Sequence, residues 1–326
     1  MRPILLALIF ALVAILPAAA DDLEPAGGWV SPEARAHPLV GRIVDTATGT
    51  VLAPGALRQR LASHTVVLIG AVHDNADHHR LQAELIAGKA AVVFEHLRAD
   101  QQPVLDALET ARTGGASLPS TGELLDRLAW SKSGWPDSTL FAPLFAAVLA
   151  ERRAIVGGDP ARAAIREIAR TGLAGVDPQE RGRLGLDLPL GDARDARLLD
   201  ELEASHCGLM PRAAFGTMAA AQRYRDAHLA DRLAGAAAAH GSAALLAGNG
   251  HVRKDRGVPW YLARRTPPPA VLVVSLVEVQ DDRTEPGDYV ERGPEGAPTA
   301  DLVVLTPRAA RPDPCDEMRR AFGQRR

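Results

Sequence analysis

Six short runs of Val, Ile, Leu and Ala recur along the chain: Val66–Ile69, Ala91–Phe94, Ala154–Val156, Ala243–Leu246, Val271–Val277 and Leu302–Leu305. A strand with one wet face alternates apolar and polar positions, so these largely unbroken runs predict strands covered on both faces. Between the first two lies His78–Ala87, with Leu81, Leu85 and Ile86 at the spacing of one helix face. That is a β-α-β unit, and it predicts an α/β fold with a mainly parallel central sheet flanked by helices. From residue 160 to 240 the chain turns to Ala, Arg, Leu and acidic residues, punctuated by Pro178, Pro189 and Pro211. This stretch reads as a helical subdomain inserted into the core. Asp281–Pro298 reads as a loop, and the arginine-rich stretch after Pro307 as a solvated end.

The first 20 residues follow a different order. Arg2 precedes an apolar run from Ile4 to Leu16, then Pro17 and the small triplet Ala18–Ala20 before Asp21 and Asp22. This is the layout of a signal peptide cleaved after Ala20. The run is too short to cross roughly 30 Å of hydrocarbon at about 1.5 Å per residue, so no transmembrane segment is expected after cleavage. No cysteine near the cleavage point offers a lipid attachment site, and the expected location is periplasmic or secreted. In such an oxidising compartment the two cysteines, Cys207 and Cys315, are candidates for one bridge.

Composition narrows the partners. Lys plus Arg number 37 against 40 Asp plus Glu, a net charge of −3, which provides no basic field for nucleic acid. Neither a complete GxGxxG nor a GxxxxGK[ST] loop is present, so nucleotide binding has no support. Without a GxSxG elbow or a CxxCH segment, serine hydrolysis and covalent haem attachment have none either.

Polar residues instead follow the strand runs directly: His73, Asp74 and Asn75 after the first, Glu95 and His96 after the second, Asp159 after the third, and Asn249, His251 and Arg253 after the fourth. The crevice beyond the carboxyl ends of parallel strands is where ligands bind. His73 and His251 each stand three residues after a glycine, Gly70 and Gly248, which the sequence suggests for a sharp turn or a positive φ. Two imidazoles and the Glu95 carboxylate form a candidate site for a divalent metal or for acid–base work. His79 is either part of a solvated first helical turn or a hydrogen-bonding support for that site. Around Gln222–His228 a polar helix face either meets solvent or looks into the crevice, where arginines would pair carboxylates and Tyr224 would offer a phenolate to iron.

Taken in order, LIGAVHDNADHHRLQ (68–82), VVFEHLRADQQPVLD (92–106), SGWPD (133–137), AQRYRDAHLADRL (221–233) and LLAGNGHVRKDRGVPWYL (245–262) resemble the ChaN-like haem-binding uptake family. Its superfamily includes the TraB/Tiki proteins and erythromycin esterase. The resemblance covers residues 41–314, leaving a tail at 315–326. It implies haem as ligand, with His73, Glu95 and His251 at its motif positions; His79, Tyr224 and Arg253, read from their place beside the strand ends and on the polar helix, are further candidate binding residues. It also implies an envelope role in iron uptake, with an outer-membrane uptake system and a second copy of the chain as candidate partners. The alternative is a metal-dependent hydrolase in which His73, Glu95 and His251 hold Zn, Mn or Co to activate water. Ala71 stands where the family commonly has Glu before the first His, which weakens that alternative.

Overall fold

All six apolar runs become parallel strands of one sheet, slightly longer than the runs themselves. A computed structural model describes residues 22–323; the signal-peptide assignment at 1–20 lies outside the described residues. The strands are β1 (Ile43–Asp45), β2 (Val51–Leu52), β3 (Val66–Ala71), β4 (Ala91–Arg98), β5 (Ala154–Asp159), β6 (Ala243–Gly248), β7 (Val271–Glu278) and β8 (Leu302–Thr306). Their spatial order is β2-β1-β8-β7-β3-β6-β4-β5. From β8 to β5 every pairing is parallel, while β1 runs antiparallel to both β8 and β2. That edge hairpin was not anticipated, because two- and three-residue strands are too short to show a period.

Twelve α-helices join the strands among the described residues: α1 (Pro54–Ser63), α2 (Ala76–Leu85), α3 (Gln102–Thr113), α4 (Thr121–Arg127), α5 (Ser138–Ala150), α6 (Arg162–Thr171), α7 (Pro178–Arg183), α8 (Asp192–Ser205), α9 (Phe215–His240), α10 (Asn249–Val252), α11 (Val258–Leu262) and α12 (Pro314–Gly323). The predicted helix between β3 and β4 starts earlier, at Ala76, because the Asn75 side chain caps it by accepting from the Asp77 and His78 N–H groups. The stretch from 160 to 240 is helical as read, comprising α6 to α9.

Alternate strand residues feed two apolar layers. Val67, Ile69, Val92 and Phe94 pack with Phe141 and Phe145 of α5 on one face; Val66, Leu68, Val93 and Leu245 pack with Leu229 and Leu233 of α9 on the other. Burial on both sides accounts for the unbroken apolar strands. Among the described residues no helix is long and apolar enough to cross a membrane.

Beyond Pro307 the chain is docked rather than simply solvated. Arg308 pairs with Asp281, and Arg311 pairs with both Asp74 and Glu278. Cys315, at the start of α12, is bonded to Cys207, which lies 108 positions earlier. The 281–298 stretch is mostly loop, interrupted by a 3-10 turn at Pro286–Tyr289 that buries Tyr289.

Candidate functional site

The sheet order brings the carboxyl ends of β3, β6, β4 and β5 side by side, and His73, His251, Glu95 and Asp159 arrive at one rim. The buried Glu95 carboxylate is the centre. Its Oε1 accepts from Arg225 Nη2 at 2.8 Å and lies 3.2 Å from His251 Nε2; its Oε2 accepts from the Gly248 N–H at 2.7 Å and lies 3.5 Å from His73 Nε2. Arg225 Nε also donates to Asp159 at 2.7 Å, and His251 Nδ1 meets Asp226 at 2.6 Å. Gln222, Arg225 and Asp226 are three and four residues apart on α9, which puts them on one helix face. That face looks into the crevice.

The two glycine-x-x-histidine frames serve close approach, not backbone turning. Gly248 has φ −66°, and Gly70 also lacks a positive φ. A Cβ on Gly248 would stand 2.7 Å from His73 Nε2, and one on Gly70 would stand 2.3 Å from Asn249 Oδ1 and 2.5 Å from Val252 Cγ2. Each glycine leaves room for the segment that carries the other frame.

Charges in this cluster are fixed by burial and neighbours. Burial opposes a charge on His251, but Glu95 and then Asp226 outweigh it and push its pKa up to about 9. Burial alone would raise Glu95, yet His251 and Arg225 hold it well below the usual carboxylate range. His73 is lowered mainly by burial, against the pull of Glu95. At neutral pH the cluster therefore holds an imidazolium at 251 and a neutral imidazole at 73. Because the folded pKa of His251 exceeds its unfolded value of about 6.5, its contribution is complete below that pH and is lost as pH rises through about 9. Urea midpoints measured from about pH 6 to pH 10 should fall across this window, and His251→Gln should remove that part of the slope; an identical slope in the variant would contradict the assignment.

His73 is backed by aromatic and polar neighbours. Its Nδ1 lies 3.1 Å from His96 Nε2, and its ring centroid lies 4.7 Å from that of Trp135, whose indole N–H donates to the His96 carbonyl. His96 Nδ1 is buried without a partner. One proton occupies the gap between the two imidazoles. Carried by His96, it leaves an N–H on His73 Nε2 facing Glu95; carried by His73 Nδ1, it leaves a bare lone pair on Nε2. Beside Trp135 opens a crevice of about 340 Å³ lined by Arg98, Trp135, Asp159, Arg162, Arg166 and Arg225.

The remaining candidates lie elsewhere or play a supporting part. His78 and His79 are fully buried rather than solvated. His79 Nε2 meets the His73 carbonyl at 2.9 Å, while His78 accepts from the Val72 N–H and meets Thr306. Tyr224 is not brought to the cluster: it lies on a different face of α9 from Arg225, and its hydroxyl donates to Glu180 at 3.1 Å. Burial and Glu180 push its pKa up to about 12, so the phenolate is not the resting form. Arg253 is held by Asp255 and Glu291, away from Glu95.

His73, Glu95 and His251 do come together, but as partners of one another. Both Glu95 oxygens are engaged by Arg225, the Gly248 N–H and the two imidazoles, and the hydrolase alternative gains no support. Among the described residues no group of three His, Cys, Asp or Glu is disposed to hold a metal. The residues that complete the network are His96, Asp159, Arg225 and Asp226. Each stood in the sequence at a strand end or on the polar face of α9, and only the helical spacing of 222, 225 and 226 could have singled out their orientation. Trp135 lay in the SGWPD motif with no sign of its place beside His73.

No curated protein matches the chain. A solved structure described as cofacial haem binding to ChaN of Campylobacter jejuni is similar at TM-score 0.60 and 20% identity, covering 80% of this chain and 95% of that one; at this identity the likeness is one of fold. A Bacillus cereus protein aligns over 77% of this chain and 90% of its own, at TM-score 0.36 and 14% identity, too distant to bear on the site. Residues 57–262 match the family described as haem-binding uptake, Tiki superfamily, ChaN. This range falls within the 41–314 spanned by the motif resemblance and contains every strand that builds the cluster, so the chain belongs to the ChaN haem-binding uptake family.

Proposed function

We propose that the protein is an exported haem-binding protein of bacterial iron uptake, and that haem is held at the carboxyl edge of the sheet. The observation that carries this reading is a neutral, partly exposed His73 (26% side-chain exposure) against Trp135, beside the arginine-lined crevice. The donor chemistry fits the group. A neutral imidazole is an iron ligand once its Nε2 is turned from Glu95, an indole face suits a porphyrin, and guanidinium groups pair with propionates. His251 is protonated and Tyr224 is bonded to Glu180, so His73 is the candidate ligand that remains. His96 and Glu95 set which nitrogen of His73 holds its proton.

The Cys207–Cys315 bridge supports export, since such crosslinks persist in oxidising compartments. A crevice of this size covers only part of a porphyrin, and a second copy of the chain would close the rest. An outer-membrane uptake system would supply the haem.

Titration of the mature protein with hemin tests the reading. A saturable Soret shift is expected, weakened at least about tenfold, roughly 1.4 kcal/mol, in His73→Ala with unchanged far-UV circular dichroism. Absence of a saturable change in the parent protein would remove the haem reading; equal affinity in the variant would move the ligand away from His73.

A further inference from the structure

The crevice beside Trp135 carries more positive charge than its own carboxylates answer. Four arginines line it, Arg98, Arg162, Arg166 and Arg225, against the single carboxylate of Asp159. Arg225 is committed to Asp159 and Glu95, and Arg98 to Asp100. The other two are not matched. Arg162 donates from Nη2 to the Ser133 carbonyl at 2.5 Å, and among the described residues neither Arg162 nor Arg166 has a carboxylate partner. Both stand on α6, four residues apart and so about 6 Å along its axis, with Ile165 on the same face and in the same crevice wall. Arginines at this spacing repel one another. The next arginine of the helix, Arg170, is instead paired with Glu167 at 2.6 Å.

Two like charges held at one rim, beside an indole and an isoleucine, suit a ligand that carries two acids on one edge of an apolar body. Haem has that shape, its two propionates standing on adjacent pyrrole rings. We propose that Arg162 and Arg166 each take one propionate, and that this two-point clamp selects dicarboxylate tetrapyrroles with or without iron. The inference rests on the haem reading for the place of the macrocycle, but it assigns selection to guanidinium–carboxylate pairing and leaves His73 the iron. Each pairing can be bidentate, which fixes orientation as well as charge. A monocarboxylate would leave one guanidinium unanswered, and a diester would leave both.

Metal-free protoporphyrin and its dimethyl ester, added to the full mature protein, isolate the clamp from iron ligation. Quenching of tryptophan fluorescence reads binding, because Trp135 stands in the crevice wall. The diacid should bind saturably and at least about tenfold more tightly than the ester. Arg166→Gln should weaken the diacid about fivefold, and the double variant with Arg162→Gln at least about tenfold, while the ester binds both variants as it binds the parent. Arg170→Gln removes an equal charge from the same helix and should change nothing. All three positions are exposed, so far-UV circular dichroism should be unchanged throughout. Four outcomes would overturn the clamp: no saturable binding of the diacid, an ester that binds as tightly, full diacid affinity in the double variant, or a loss in Arg170→Gln equal to that in Arg166→Gln. Hemin separates the two claims. A parent that shows the Soret shift with hemin alongside any of these outcomes loses the clamp alone, and one that binds neither hemin nor the diacid loses the haem reading with it.

Discussion

Arg225→Met is expected to lower unfolding free energy by about 3–5 kcal/mol, the cost of stranding buried charge. Among the described residues Arg225 alone bonds both Glu95 and Asp159, at 2.8 and 2.7 Å. Both carboxylates are nearly inaccessible, with side-chain exposures of 2% and 8%. Methionine conserves the length of the stem but supplies no donor. Glu95 keeps His251 and the Gly248 N–H, while Asp159 loses the cation that offsets its burial, and its pKa, already raised by burial, should rise further. Urea unfolding of the variant measures the loss, and a change below about 1 kcal/mol would mean that solvent reaches this pair more freely than its burial indicates. The double variant with Glu95→Gln should lose less than the two single changes added together, because one network is being dismantled twice.

Removing the Cys207–Cys315 bridge by paired serine substitutions should cost about 5 kcal/mol on the entropic account of a loop of this length. The bridge ties the turn after α8 to the start of α12, so the released end is the one that carries Arg308 and Arg311. A reductant should lower the thermal midpoint of the parent and leave the serine variant unmoved. Equal midpoints for oxidised and reduced parent would show that the crosslink holds only an end that is already anchored by its arginines.

The parallel core was legible because its strands are buried on both faces, and an unbroken run of Val, Ile and Leu such as Val66–Ile69 says so without any neighbour. Convergence of His73, Glu95 and His251 was legible for the same reason: residues that follow parallel strands share a rim. The sequence did not reveal what those side chains do to one another. Nothing local marks Arg225 as the partner of Glu95 rather than a surface charge, because the two are brought together by α9 crossing strands 130 residues away. Glu95, with Asp226 one residue further along α9 from Arg225, makes His251 a cation and so a poor iron ligand. The reading of Gly70 and Gly248 erred in mechanism for a related reason. A missing Cβ serves turning or close contact equally well, and only the neighbouring segment decides which. The stretch after Pro307 is largely exposed, as read, but its anchoring was not legible, because Arg308 and Arg311 look like any exposed arginines until Asp281, Asp74 and Glu278 are placed beside them.

Strand β6 lies between β3 and β4, although it follows both by more than a hundred residues. The half of the Glu95 network made with Asp159 and Arg225 uses residues up to 225, whereas the half made with Gly248 and His251 waits for β6 to enter between β3 and β4. Completion of the rim is consequently a late, long-range event, of the kind that slows folding.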